Sequence, residues 1–185
     1  MRRRLLGLSL GASLAGAAAV ALVFIVFAGA GGAGGNKTMV KADPLTGYQE
    51  ATPAGVSSSG SGTFAATIDE DASPPTISYT LTYSGLSSPA TGAHIHFANR
   101  YDPGAIVAFL CGGIKPACPA GGGTVTGTIT AADVLSVPSQ GITAGDFDGL
   151  VDVIQAGMAY VNVHTAKFPA GEIRGQINDE DQRQP

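Results

Sequence analysis

The sequence predicts an all-β domain, an antiparallel β-sandwich or barrel carrying short helical insertions. Three features point to it. Charged residues make up only 13% of the 185-residue chain and Gly fills 27 positions, a balance that favours tight turns over helix bundles. Thr, Val, Ile and Ser crowd the middle of the chain, and such side chains fit a pleated, half-buried surface. Short runs of them recur roughly every dozen positions between Gly, Pro, Ser or Asp clusters, the rhythm of sandwiches and barrels.

Taken in order, residues 1–35 read as an address rather than as part of the fold. Arg2, Arg3 and Arg4 precede an uncharged run from Leu5 to Gly35, the pattern of a signal peptide. Ala28-Gly29-Ala30 offers a cleavage site. The run is also long enough to act as an uncleaved N-terminal membrane anchor with the arginines inside. Both readings put the rest of the chain outside the cytoplasmic membrane, secreted or in the cell envelope, and give it contact with the membrane only through this segment.

Residues 36–42 read as a linker, 43–178 as the domain and 179–185 as a polar tail. "TFAATID" (63–69), "TISYTLTYSGL" (76–86), "GAHIHFA" (92–98), "GAIVAFL" (104–110) and "GTVTGTIT" (123–130) are expected strands. Alternation is cleanest in 76–86, where Ile77, Tyr79, Leu81 and Tyr83 share one face. Short helices are expected over 129–135, with Thr130 as N-cap and Asp133 three residues on, and over 146–157, ending at Gly157. Strands at 158–165 and 171–177 close the domain around the "KFPAG" turn.

Cys111 and Cys118 flank a loop rich in Gly and Pro. In an oxidising compartment the pair is expected to form a disulfide, since two thiols so spaced, with no third ligand nearby, make a poor zinc signature. Removing the three N-terminal arginines from the 10 basic residues leaves seven against 14 acidic ones. No basic stripe remains to follow a phosphate backbone, which argues against nucleic acid as a partner.

Four segments carry a family resemblance. "LTGYQEATPAG", "GAHIHFA", "GTVTGTITAADV" and "AYVNVHTAKFPAGEIRGQI" stand in the order seen in the CHRD domain, the family named for the repeats of chordin. Tyr160, Asn162, His164, Pro169, Gly171, Glu172, Arg174 and Gly175 match its closing motif, and His94-Ile95-His96 matches its paired histidines. The resemblance implies an immunoglobulin-like or superoxide-dismutase-like β-sandwich with no general enzymatic activity. The expected role is therefore a binding or structural module of the cell envelope, not an enzyme, with a protein or other envelope component as its partner.

The candidate site follows from strand geometry. Residues two apart on a strand point to one side, so His94 and His96 share a face opposite Ile95 and Phe97. Tyr160, Asn162 and His164 likewise share one, and Glu172 stands beside Arg174. If the strands are neighbours, these side chains collect on one polar surface patch. Two chemistries fit it. One is a hydrogen-bonded network with no cofactor, with the imidazoles on Asn162, Thr165 or carbonyls and Glu172–Arg174 as a surface ion pair. The alternative is a copper or zinc site on His94, His96 and His164 with an open fourth position, weakly enzymatic at most. The paired histidines are similar to the copper pair of copper/zinc superoxide dismutases. That enzyme takes four histidines for copper, and this chain has three.

Overall fold

The computed structural model describes residues 37–52 and 54–179. The expectations for 1–35 and for 180–185 lie outside the described residues. Nine strands form one sheet: β1 (Lys37–Thr46), β2 (Ser61–Asp69), β3 (Thr76–Ser84), β4 (Ala90–Phe97), β5 (Ala105–Cys111), β6 (Gly123–Ile129), β7 (Ala159–Thr165), β8 (Ile173–Gln176) and the two-residue β9 (Asn178–Asp179). Their order is β5-β4-β7-β8-β1-β2-β3-β6, with β9 on β1. Every pairing is antiparallel.

The stretch expected to be a linker, 36–42, is a strand from Lys37 onward. Val40, Ala42 and Leu45 point inward along β1 while Lys37 and Lys41 face solvent, so apolar alternation is present but interrupted. The register slips between Ala42 and Leu45, where Pro44 has no amide proton to give the ladder. Asp179, assigned to the tail, pairs with Val40.

The sheet curls until its two ends approach, giving the barrel-like form of the expected class. Three contacts join them: the Tyr79 hydroxyl of β3 donates to the Leu110 carbonyl of β5 at 2.7 Å, the Leu135 amide to Val107 at 2.9 Å, and Lys115 Nζ to Thr128 at 3.1 Å. Lys115 also pairs with Asp133 at 2.8 Å. Ile77, Tyr79, Leu81 and Tyr83 all face the core, as their alternation requires.

One helix, α1 (Phe147–Gln155), completes that core with Leu150, Val151 and Ile154. Asp146 caps it through the Gly149 amide at 3.0 Å, and Gly157, at φ 71°, ends it. The helix expected over 129–135 shrinks to a single 3-10 turn, Ala131–Asp133. The Asp133 carboxylate accepts from the Thr130 amide and hydroxyl, and Leu135 is already drawn to β5.

Candidate functional site

Strands β4, β7 and β8 are buried on both faces. Ala93, Ile95, Val161, Val163 and Ile173 enter the core, and the alternate residues point the other way. There, register sets His94 opposite Asn162, His96 opposite Tyr160, Gly92 opposite His164, and Asn162 opposite Arg174. The three histidines therefore meet. One ring nitrogen from each lies within 4.8 Å of the other two, and the ring centroids stand 4.7 to 5.8 Å apart.

The expected surface patch is instead a covered one. His94, His96, Asn162 and Arg174 are buried, with His164 half-buried. The cover comes from the loops after β1, β4 and β7, which contribute Glu50, the carbonyls of Asn99, Asp102 and Gly104, and Pro169–Gly171. Glu172 and Arg174 do not form the expected ion pair. The Glu172 carboxylate accepts from Ser58 Oγ, the Ser87 amide and hydroxyl, and Thr165 Oγ1. Arg174 donates to Asp102 O at 3.0 Å and Asn99 O at 2.7 Å. Glu172 precedes β8 and turns to the loops at the far side, so the two charges part company. Thr165, a candidate partner for the imidazoles, serves Glu172 instead.

Backbone carbonyls orient the rings. His96 Nδ1 stands 2.9 Å from Gly104 O and His164 Nδ1 2.9 Å from Pro169 O. A carbonyl can only accept, so both Nδ1 atoms carry the proton and both Nε2 atoms keep a lone pair. His94 packs edge-on against Phe109. Gly92 leaves it room, since a Cβ there would lie 3.1 Å from the imidazole. His96 stacks on Tyr160 at 4.7 Å, and the Arg174 guanidinium lies 3.4 Å from the centre of the Tyr160 ring.

The histidines are neutral at pH 7. Burial, then the neighbouring His164 and His96, pushes His94 down to about 3. Burial likewise pushes His96 down to about 4 against the Gly104 bond, helped by His164 and Arg174. Burial lowers His164, opposed by its bond to Pro169.

Glu50 was not legible as part of this site. It is 5% exposed, and burial pushes its carboxyl up to about 7 although Arg174 and Asn162 pull it down. Its Oε1 and Asn162 Nδ2 both crowd Gly171, where a Cβ would come within 2.6 Å of each. Gly171 also sits at φ 131°, so glycine is doubly required. Glu50 Oε1, Asn162 Oδ1, His94 Nδ1, His96 Nε2 and His164 Nε2 are five of the six buried side-chain polar atoms without a hydrogen-bond partner among the described residues. In the tautomers fixed above, both Nε2 atoms are acceptors, like the two oxygens. Among the described residues the three ring nitrogens lie within 4.8 Å of one another, and burying polar atoms without a partner costs free energy.

Cys111 and Cys118 are joined by a disulfide at the end of β5. No helix among the described residues is long and apolar enough to cross a membrane. No curated protein and no solved structure matches the chain. The family model for the CHRD domain matches residues 42–177, from the second half of β1 through β8 and including every histidine, and by that match the chain belongs to the CHRD domain family.

Proposed function

We propose that the chain is an exported binding module of the cell envelope that holds one transition-metal ion, zinc or copper, on His94, His96 and His164. The observation that carries the metal reading is the meeting of three neutral imidazoles within 4.8 Å, two with Nδ1 anchored on carbonyls. Outer hydrogen bonds of that kind orient metal-ligating histidines. Zn–N bonds near 2.0–2.1 Å set tetrahedral ligand nitrogens about 3.4 Å apart. Rotation of the rings has to close the remaining distance from 4.8 Å. Three protein nitrogens leave one coordination position for water or another ligand. Export is supported by the arginine-led apolar segment and by the disulfide, which suits an oxidising compartment.

Titration calorimetry and elemental analysis of the tag-free full chain test this. The expected result is one zinc or copper ion per chain, with His96→Ala and His164→Ala each weakening affinity more than about a hundredfold, beyond the usual effect of losing an outer-shell contact. Binding of neither metal at micromolar concentration would remove the reading.

A further inference from the structure

A second concavity lies beside the histidine cluster and shares Glu50 with it. A pocket of about 310 Å³ opens between the loop after β1 and the loop after β4, lined in part by Tyr48, Gln49, Glu50, Gly55, Arg100 and Tyr101, within the size range of small-molecule sites. Tyr48 and Tyr101 are 77% and 83% exposed.

These rings do not ride on slack chain. Gly47 O accepts from the Glu50 and Val56 amides, Glu50 O accepts from Gly55, and Gln49 Nε2 donates to Pro44 O. On the other rim, Asn99 Oδ1 accepts from the Tyr101 amide, and Arg174 clamps the carbonyls of Asn99 and Asp102. A buried arginine thus holds the loop that presents Tyr101. Exposed aromatic rings on cross-linked loops are a preorganised contact surface.

The polar lining selects the ligand. Arg100 NH1 donates to Gln49 Oε1 at 3.2 Å, which points a guanidinium along the rim, while Glu50 forms the inner wall with Oε1 turned towards Gly171 and Asn162. The lining pairs a permanent cation, Arg100, with the Glu50 carboxyl, which burial pushes up to about 7. An amine would meet Arg100, with Arg174 close behind; an anion would have to bind beside a carboxyl that is about half ionised at neutral pH. A neutral molecule with many hydroxyls can both accept from Arg100 and donate to Glu50 or Gln49, and can lay its C–H faces on the tyrosine rings. We infer that this pocket binds a neutral saccharide, stacked on Tyr48 and Tyr101 and hydrogen-bonded by Gln49, Glu50 and Arg100. The site does not depend on the metal reading.

The test is calorimetric titration of the full chain with neutral tetrasaccharides of glucose, galactose and N-acetylglucosamine. Spermidine, citrate and adenosine serve as amine, anion and planar-base probes, and each titration is run with zinc and with chelator. The expected result is binding of at least one saccharide with or without metal, weakened at least about tenfold in Tyr48→Ala and in Tyr101→Ala, a change of about 1.4 kcal/mol. Both rings are exposed, so these variants keep the fold, which circular dichroism verifies. No saccharide binding, preference for another probe, or unchanged affinity in both tyrosine variants overturns the proposal. Loss of zinc binding alone strikes only the metal reading.

Discussion

At the residue scale the histidines tie protonation to stability. An exposed histidine titrates near 6.5, whereas burial holds His94 near 3, His96 near 4 and His164 below its usual value. The unfolded chain therefore binds protons first as pH falls. Stability from these groups is largely present above about pH 6.5 and declines from there towards the folded values, by at most about 1.4 kcal/mol per pH unit for His94 and for His96, with His164 adding in the same direction. Urea midpoints of the metal-free chain between pH 7 and 4 check this. The expected curve drops steeply below pH 6.5, and His164→Gln makes it shallower; a flat curve to pH 5 would contradict the burial of the cluster. The paired histidines were legible because i and i+2 share a face of any strand. Their meeting with His164 was not, because it needs β4 beside β7, and strand order is absent from local pattern. Glu50 lies inside the family segment "LTGYQEATPAG", but locally one acid in a glycine-rich loop looks like any solvated carboxylate, so its place beside the histidines did not show.

At the element scale, Glu172 is the fastener. Its carboxylate gathers Ser58 from the approach to β2, Ser87 from the β3–β4 loop and Thr165 from the end of β7. Burial works against the charge, but these hydrogen bonds outweigh it and hold the carboxyl below its usual range. Glu172→Gln keeps the shape and turns an amide NH₂ towards groups that are themselves donors. The expected loss is about 3 kcal/mol, roughly a 10 °C fall in Tm, with zinc still bound at one ion per chain below the new Tm because Glu172 touches no histidine. The strands whose inward positions alternate without interruption, β2 and β3, were readable from sequence. In β1, charged residues and a proline hid the same pattern, so a central strand looked like a tether. The 129–135 segment has a good helix start but is pulled to β5 at Leu135, and tertiary contact overrides local capping.

At the scale of the whole molecule, the curled sheet has to secure the seam between β5 and β6. An open sheet leaves unpaired edge groups at both ends; here the 112–122 connection lies across the gap. Its shape is held by the Cys111–Cys118 bond, by Gly112 N to Pro116 O at 2.8 Å, and by the Tyr83 hydroxyl on Pro119 O at 2.7 Å. Lys115, carried on the same loop, reaches both Thr128 and Asp133. Cleaving the disulfide frees a loop with a sequence separation of only seven, so the loss of loop-closure entropy restraint is modest, about 2 kcal/mol. Melting the metal-free chain with and without a phosphine reductant should show a fall of roughly 4–8 °C. Cys111 packs in the core at the end of the strand that carries Phe109, whereas the three histidines proposed to hold metal stand on β4 and β7. The reduced chain is therefore expected to bind zinc within about threefold of the oxidised affinity, well under the tenfold that 1.4 kcal/mol represents. A loss as large as that of His96→Ala would instead mean that the seam, and not the β4–β7 pair alone, holds the imidazoles together.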